Sequence, residues 1–412
     1  MHSTTYSAKA RWLVLLAAFL GWMFDGLEMG IFPLVARPAL SDLMGMSGDE
    51  LVGQWMGRIT ALFLLGAACG GLIFGWLGDR LGRVRAMTFS IVTYSLFTGL
   101  CYFAAQPWHL GALRFVAALG MGGEWSLGVA LVMECWPEGS RPVLAGLIGA
   151  AANVGYALIG VVGLRFHIRP DSWRWVMLAG AAPALLTFFI TLFVPESERW
   201  KESVKTAVAR PVREIFSPAL RATTLLAIVF ASVALIGTWS AAQWMPLWVD
   251  KLAGPDLPQA KAWAQVCSAL GAIVGCMIGP LLGAWLGRRP AYFCLCLASL
   301  LSCGYLYRGW NEYNNTLLGM IFVVGGASAA FYGWLPLYLP ELFPTRVRAT
   351  GQGLCFNSGR ILAAVGSVYA GELVKHYHGD YARAGATITL VYLLGMVVIW
   401  MAPETKGRPL PE

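Results

Sequence analysis

Stretches of about twenty apolar residues recur along this chain, and nothing constrains its fold more. Each can cross a hydrocarbon core of about 30 Å as a helix. A backbone in lipid must satisfy its own hydrogen bonds, which leaves only helices or closed barrels. Twelve such windows are read, at 12–36, 53–77, 87–105, 108–134, 142–166, 173–194, 222–249, 260–287, 291–307, 315–340, 349–374 and 384–402. Of the 412 residues, 58% are hydrophobic and only 13% charged, against about 25% charged in soluble domains. The excess apolar surface has no place in water. The expected fold is an all-α polytopic membrane protein of twelve transmembrane helices. The first window exceeds the roughly 7–15 residues of a signal-peptide core, so it is kept as the first helix.

Basic residues set the expected orientation. With the N-terminus in the cytoplasm, the inner segments hold 18 of the 30 lysines and arginines; Arg58, Arg114 and Arg360 fall within spans. Both termini are therefore expected on the cytoplasmic side of the inner (plasma) membrane. The net charge of +8 reads as a topology signal, with no nucleic-acid partner implied. The nine cysteines lie mostly in apolar spans without metal-ligand spacing, so neither metal nor cofactor is expected. H-E-x-x-H, G-x-S-x-G and phosphate-loop motifs are absent from the sequence, which speaks against an enzyme or a self-contained ATP-driven pump.

The chain repeats itself. A polar stretch at 195–221 divides the windows six and six, giving an N-terminal bundle (1–194), a central cytoplasmic linker (195–221) and a C-terminal bundle (222–412). ECWPEGSR at 134–141 and ELFPTRVR at 341–348 share Glu, Pro and Arg at one spacing, and Gly146 and Gly353 follow each copy. PES at 195–197 is matched by PET at 403–405, and GWLGDR at 75–80 is echoed by GAWLGR at 283–288, without the aspartate. Such repeats place a substrate site between two bundles that rock about the membrane midplane.

Charges inside the spans locate that site. FDGLEMG at 24–30 puts Asp25 and Glu28 in the first span, at about 2.5–3.5 kcal/mol for a charge at a helix centre. Three residues apart, the two share a helix face. The fourth span carries Arg114 and, within GMGGEW, Glu124. Asp25 is expected to pair with Arg114, and Glu124 to face the pathway, with a bond to backbone exposed by the glycines as the alternative. The eleventh span adds Asn357 and Arg360. Arg360 is a fork for a carboxylate, with a backbone carbonyl or Glu372 as the alternative partner. Ionisable groups at this depth mark a pathway.

The segment Gly75 to Arg85, GWLGDRLGRVR, resembles the signature between the second and third helices of the major facilitator superfamily, and PETKGR at 403–408 resembles the C-terminal motif of its sugar-porter-like branch. That resemblance implies two bundles related by a pseudo-two-fold axis. It also implies a conformational latch of Asp79, Arg80, Arg83, Glu134, Arg141, Glu341 and Arg348, with Arg83 pairing with Glu134. Spans 1, 4, 7 and 10 would line the cavity, which gives Trp239, Gln243, Trp244, Tyr332 and Trp334 substrate-facing roles beside Arg114, Asn357 and Arg360. DGLE at 25–28, with Arg114 and Gly120 to Trp125, is similar to the proton symporters of organic acids: the sialate, aromatic-acid and metabolite groups. The implied function is proton-coupled symport of a small organic anion by a monomer in the bilayer, with Asp25, Glu28 and Glu124 carrying protons. A transporter of sugars or other neutral metabolites, or an exporting antiporter, is the alternative.

Overall fold

The computed structural model describes residues 7–45, 49–166, 168–198, 200–201, 211–240, 244–254, 256–257, 259–377, 380–408 and 410–411. Among these, every regular element is a helix. In chain order they are α1 (Ala8–Met44), α2 (Asp49–Leu81), α3 (Arg83–Leu100), α4 (Pro107–Cys135), α5 (Arg141–Arg165), α6 (Trp173–Ala179), α7 (Leu186–Phe193), α8 (Pro211–Ile215), α9 (Arg221–Ser240), α10 (Met245–Ala253), α11 (Ala260–Leu286), α12 (Arg288–Gly309), α13 (Asn315–Leu342), α14 (Arg348–His376), α15 (Tyr381–Ile388) and α16 (Val391–Val398). Ten stretches among the described residues are long and apolar enough to cross a membrane. The sixth expected span is broken around Gly180 and Pro183 into α6, a 3-10 turn and α7. The eleventh, α14, is one continuous helix of 29 residues. It carries Gln352, Asn357 and Arg360 buried in the protein, where polar groups escape lipid.

In the first half α1 packs on α5, and α2 and α3 on α4; in the second, α11 packs on α13 and α9 on α14. The halves meet where α2 lies against α14 and α5 against α11. Glycine permits the tightest approaches. A Cβ at Gly70 would sit 1.9 Å from the Leu119 carbonyl oxygen of α4, and one at Gly275 would sit 1.9 Å from that of Gly326 on α13.

At one end of the molecule, the motif end, the halves carry matching brackets. Gly82 (φ 106°) and Gly287 (φ 103°) turn the chain into α3 and α12. Arg83 donates to the carbonyl of Gly78 at 2.7 Å, and Arg288 to that of Gly283 at 2.8 Å. Arg83 meets Glu134 at 3.3 Å, as expected, and Arg288 meets Glu341 at 2.7 Å. The hydroxyls of Ser197 and Thr405 donate to those same glutamates. The PES and PET segments cap helices. Glu196 accepts from the backbone N–H of Arg83 at 2.9 Å and of Val84 at 3.1 Å, and Glu404 from Arg288 and Arg289 at the same two distances. A carboxylate there also suits the positive helix end. Burial lifts the Glu196 carboxyl above its usual range despite those donors. For Glu404, burial is outweighed by backbone N–H groups of Arg288, Arg289, Lys406 and Thr405, which hold it below.

This geometry corrects the internal alignment: GAWLGR at 283–288 matches GDRLGR at 78–83, so Ala284 stands opposite Asp79. Asp79 accepts from Arg83 at 2.6 Å and from the hydroxyl of Thr350 near the start of α14, which ties one half to the other. Two expected latch members lie elsewhere. Arg80 is exposed over the Trp76 ring, 4.7 Å from its centroid. Arg348 donates to the carbonyls of Pro340 and Pro411 at 3.2 and 2.7 Å, fastening the C-terminal segment to its own half. Arg141 is buried at the start of α5.

Candidate functional site

Five buried charged side chains, none more than 2% exposed, bear on the candidate site: Asp25, Glu28, Arg114 and Glu124 of the first half and Arg360 of the second. Arg114 Nη1 bonds Glu28 at 2.9 Å, and the Thr98 hydroxyl donates to the same oxygen at 3.1 Å. The expected Asp25–Arg114 pair is not formed. The helices are antiparallel, and their axial levels explain this. Glu28 lies 20 residues from the start of α1 and Arg114 20 residues from Glu134, each roughly 30 Å from the motif end. Asp25 lies about one turn nearer that end, toward Glu124. The Arg114 guanidinium is clad by the rings of Phe32 and Phe63, at 4.6 and 4.7 Å.

Asp25 neighbours Glu124, with Arg360 the positive charge acting on it. Apart from a hydrogen bond between the two carboxyls, no oxygen of either has a partner among the described residues, so the backbone bond offered as the alternative for Glu124 is absent. Its carboxylate instead fills the space over Gly21, where a Cβ would lie 1.8 Å from Oε1. Arg360 Nη1 donates to Asn357 Oδ1 at 2.8 Å, and the Asn357 amide donates to the carbonyls of Gly353 at 2.8 Å and Gly122 at 3.4 Å. Asn357 therefore holds Arg360 and bridges α14 to α4, and it lines neither cavity described below. Phe356 lies under Arg360 and stacks on Trp125 across the halves, with centroids 4.2 Å apart.

Two cavities flank these charges. The larger, about 850 Å³, is lined by Arg360, Tyr332, Trp239, Trp22, Asn153 and Gln265 among others. The smaller, about 620 Å³, is lined by Arg114, Phe32, Phe63, Trp239, Trp244 and Ser367 among others. Trp334 is not with them: it is packed between Tyr292 and Tyr338, its Nε1–H donating to the Arg288 carbonyl at 3.2 Å. Gln243 lies outside the described residues. The sequence reading missed Trp22, Asn153 and Gln265. Asn153 and Gln265 could have been found as single amides in otherwise apolar windows. Among the described residues no three His, Cys, Asp or Glu side chains are grouped to hold a metal.

Residues 12–367 match the Major Facilitator Superfamily. The chain is similar to the inner membrane metabolite transport protein YgcS of Escherichia coli (strain K12), 30% identical over 396 residues that cover 88% of this chain and 85% of that protein. It is also similar to the sialic acid transporter NanX of the same organism, 24% identical over 397 residues covering 96% and 94%. Among solved structures it is similar in fold to the proton:xylose symporter XylE, with a TM-score of 0.77 at 16% identity over 98% of each chain.

Proposed function

This chain belongs to the major facilitator superfamily, and we propose that it is a symporter carrying a small organic anion with protons by alternating access. The observation that carries this reading is the buried charge count. Asp25, Glu28 and Glu124 face only Arg114 and Arg360, so the centre holds one more negative charge than positive. Unpaired buried charge is strongly unfavourable. A proton shared by Asp25 and Glu124, two carboxyls that bond no group but each other, removes the excess.

An anion that docks on Arg360 in the larger cavity restores the excess, and a second proton then joins the same carboxyl pair. One proton moves with each monovalent anion, and the loaded centre can close without a net buried charge. Glu28, held by Arg114 and Thr98, is the reserve acid. Tyr332 and Trp239 pack the body of the cargo, and a relative named for sialic acid fits an acidic cargo. The working unit in this reading is a monomer. Segments 1–194 and 222–412 rock about the site, the linker 195–221 and both termini lie in the cytoplasm, and the basic motif end faces that side.

The test is transport in proteoliposomes. Each single variant, Asp25→Asn or Glu124→Gln, fixes the resident proton and is expected to keep pH-driven accumulation of a labelled organic anion, whereas the double variant is expected to abolish it while sparing exchange of labelled for unlabelled anion. Retained pH-driven accumulation in the double variant would refute the carboxyl pair as the proton carrier. Robust uptake of a neutral hexose, with no response to any carboxylate, would refute the anion.

A further inference from the structure

Arg114 and Arg360 open into different cavities. Arg114 lies ten residues, roughly 15 Å along α4, from Glu124 and away from the motif end. Met29 and Trp239 border both cavities and so form the partition between them. Trp239 comes from α9 of the second half and lies 6.3 Å, ring to ring, from Phe63 on α2 of the first. The partition is therefore built from both halves and opens when they part at that end.

The smaller cavity has the chemistry of a binding site in its own right. Phe32 and Phe63 cover the Arg114 guanidinium, so only its rim remains for further bonding. Glu28 takes Nη1, and Nε is buried without a partner. The Ser367 hydroxyl, also buried without a partner, lines the same cavity from α14. Donors on an arginine rim fit a planar carboxylate, and the walls around them are aromatic.

We infer that this cavity is a second anion station, for a carboxylate with a flat apolar body, in series with the Arg360 chamber. Cargo passes between the two when the Met29–Trp239 partition opens. The inference rests on the anionic cargo proposed above. Because Glu28 already balances Arg114, a carboxylate at this station takes its place beside the guanidinium as Glu28 accepts a proton.

Saturation binding of radiolabelled benzoate to the purified full chain in nanodiscs tests this, with benzamide as the neutral isostere. Wild type is expected to bind two benzoates per chain. The paired variant Glu28→Gln/Arg114→Gln, which leaves no buried charge orphaned, is expected to bind one, and so is Arg360→Gln. Trp244→Leu, which alters a wall of the smaller cavity and leaves the Arg360 chamber untouched, is expected to weaken one of the two sites selectively while the protein stays monodisperse. A single wild-type site, lost in Arg360→Gln and untouched by the paired variant and by Trp244→Leu, would overturn the second station and leave the anion reading standing. Benzamide binding as well as benzoate, or no benzoate binding to folded protein, would overturn both.

Discussion

Arg114 bonds Glu28 and leaves Asp25, one helical turn away, to the carboxyl of Glu124. Removing one member of a buried pair strands the other, at about 3–5 kcal/mol. Arg114→Gln is expected to lose stability on that scale, whereas Glu28→Gln/Arg114→Gln recovers most of it. Thermal unfolding in detergent checks this. Equal losses for the single and paired variants would mean that the pair contributes nothing as a pair.

Two glycines of α1 separate packing from proton handling. At Gly26 an added Cβ would lie 1.8 Å from the Ala152 carbonyl oxygen, a backbone atom of α5. At Gly21 the clash is with the Glu124 carboxylate, the mobile end of a side chain. Overpacking of this kind costs about 1–3 kcal/mol, with Gly26→Ala expected at the upper end and Gly21→Ala at the lower. Gly21→Ala is expected to fold, keep exchange and lose pH-driven accumulation, as read by parallel unfolding and flux measurements. Intact pH-driven accumulation in Gly21→Ala would show that the position of the Glu124 carboxylate is immaterial.

Asp79 ties α2 to Thr350 of α14 far from the buried charges. Asp79→Asn and Thr350→Val are expected to slow transport while leaving equilibrium binding of the cargo little changed. Loss of binding in folded Asp79→Asn protein would contradict a role confined to conformation.

The two caps predict opposite responses to pH. Glu404 has a lowered folded-state pKa, so its stabilisation is present above its unfolded value near 4.5 and fades as pH falls through the folded one. Glu196 is raised, so its ionisation weighs against the fold as pH climbs above about 4.5. Glu404→Gln is therefore expected to lower the melting temperature at neutral pH and to flatten the acid limb. Glu196→Gln, which mimics the protonated form, is expected to be neutral or slightly stabilising at pH 7. Melting curves between pH 4 and 8 distinguish them.

The spans were legible because apolar length is a local property. The Arg83–Glu134 contact was legible because the segment from Gly75 to Arg85 resembles a family signature that implies it. The partner of Arg114 was not, because Asp25 and Glu28 share a face and only their rise along α1, about 4.5 Å, separates them. No local pattern sets the axial level of α1 against α4. Trp334 is a different case. It lies two residues, about 200° of helix, from Tyr332, so both could not face one cavity, and that conflict was present in the sequence. The caps from Glu196 and Glu404 went unread because each acts on a helix more than a hundred residues earlier in the chain.

The matched brackets have a consequence for how the molecule rests. Two halves with equal fittings would have no reason to prefer facing one side of the bilayer over the other. Each bracket keeps its own half in shape, and that shape is common to both facings. Asp79 has no twin, because Ala284 occupies its place. It is therefore a bolt carried on one leaf of a double door, tied across to Thr350 on the other, and its loss is expected to shift the balance between the two facings.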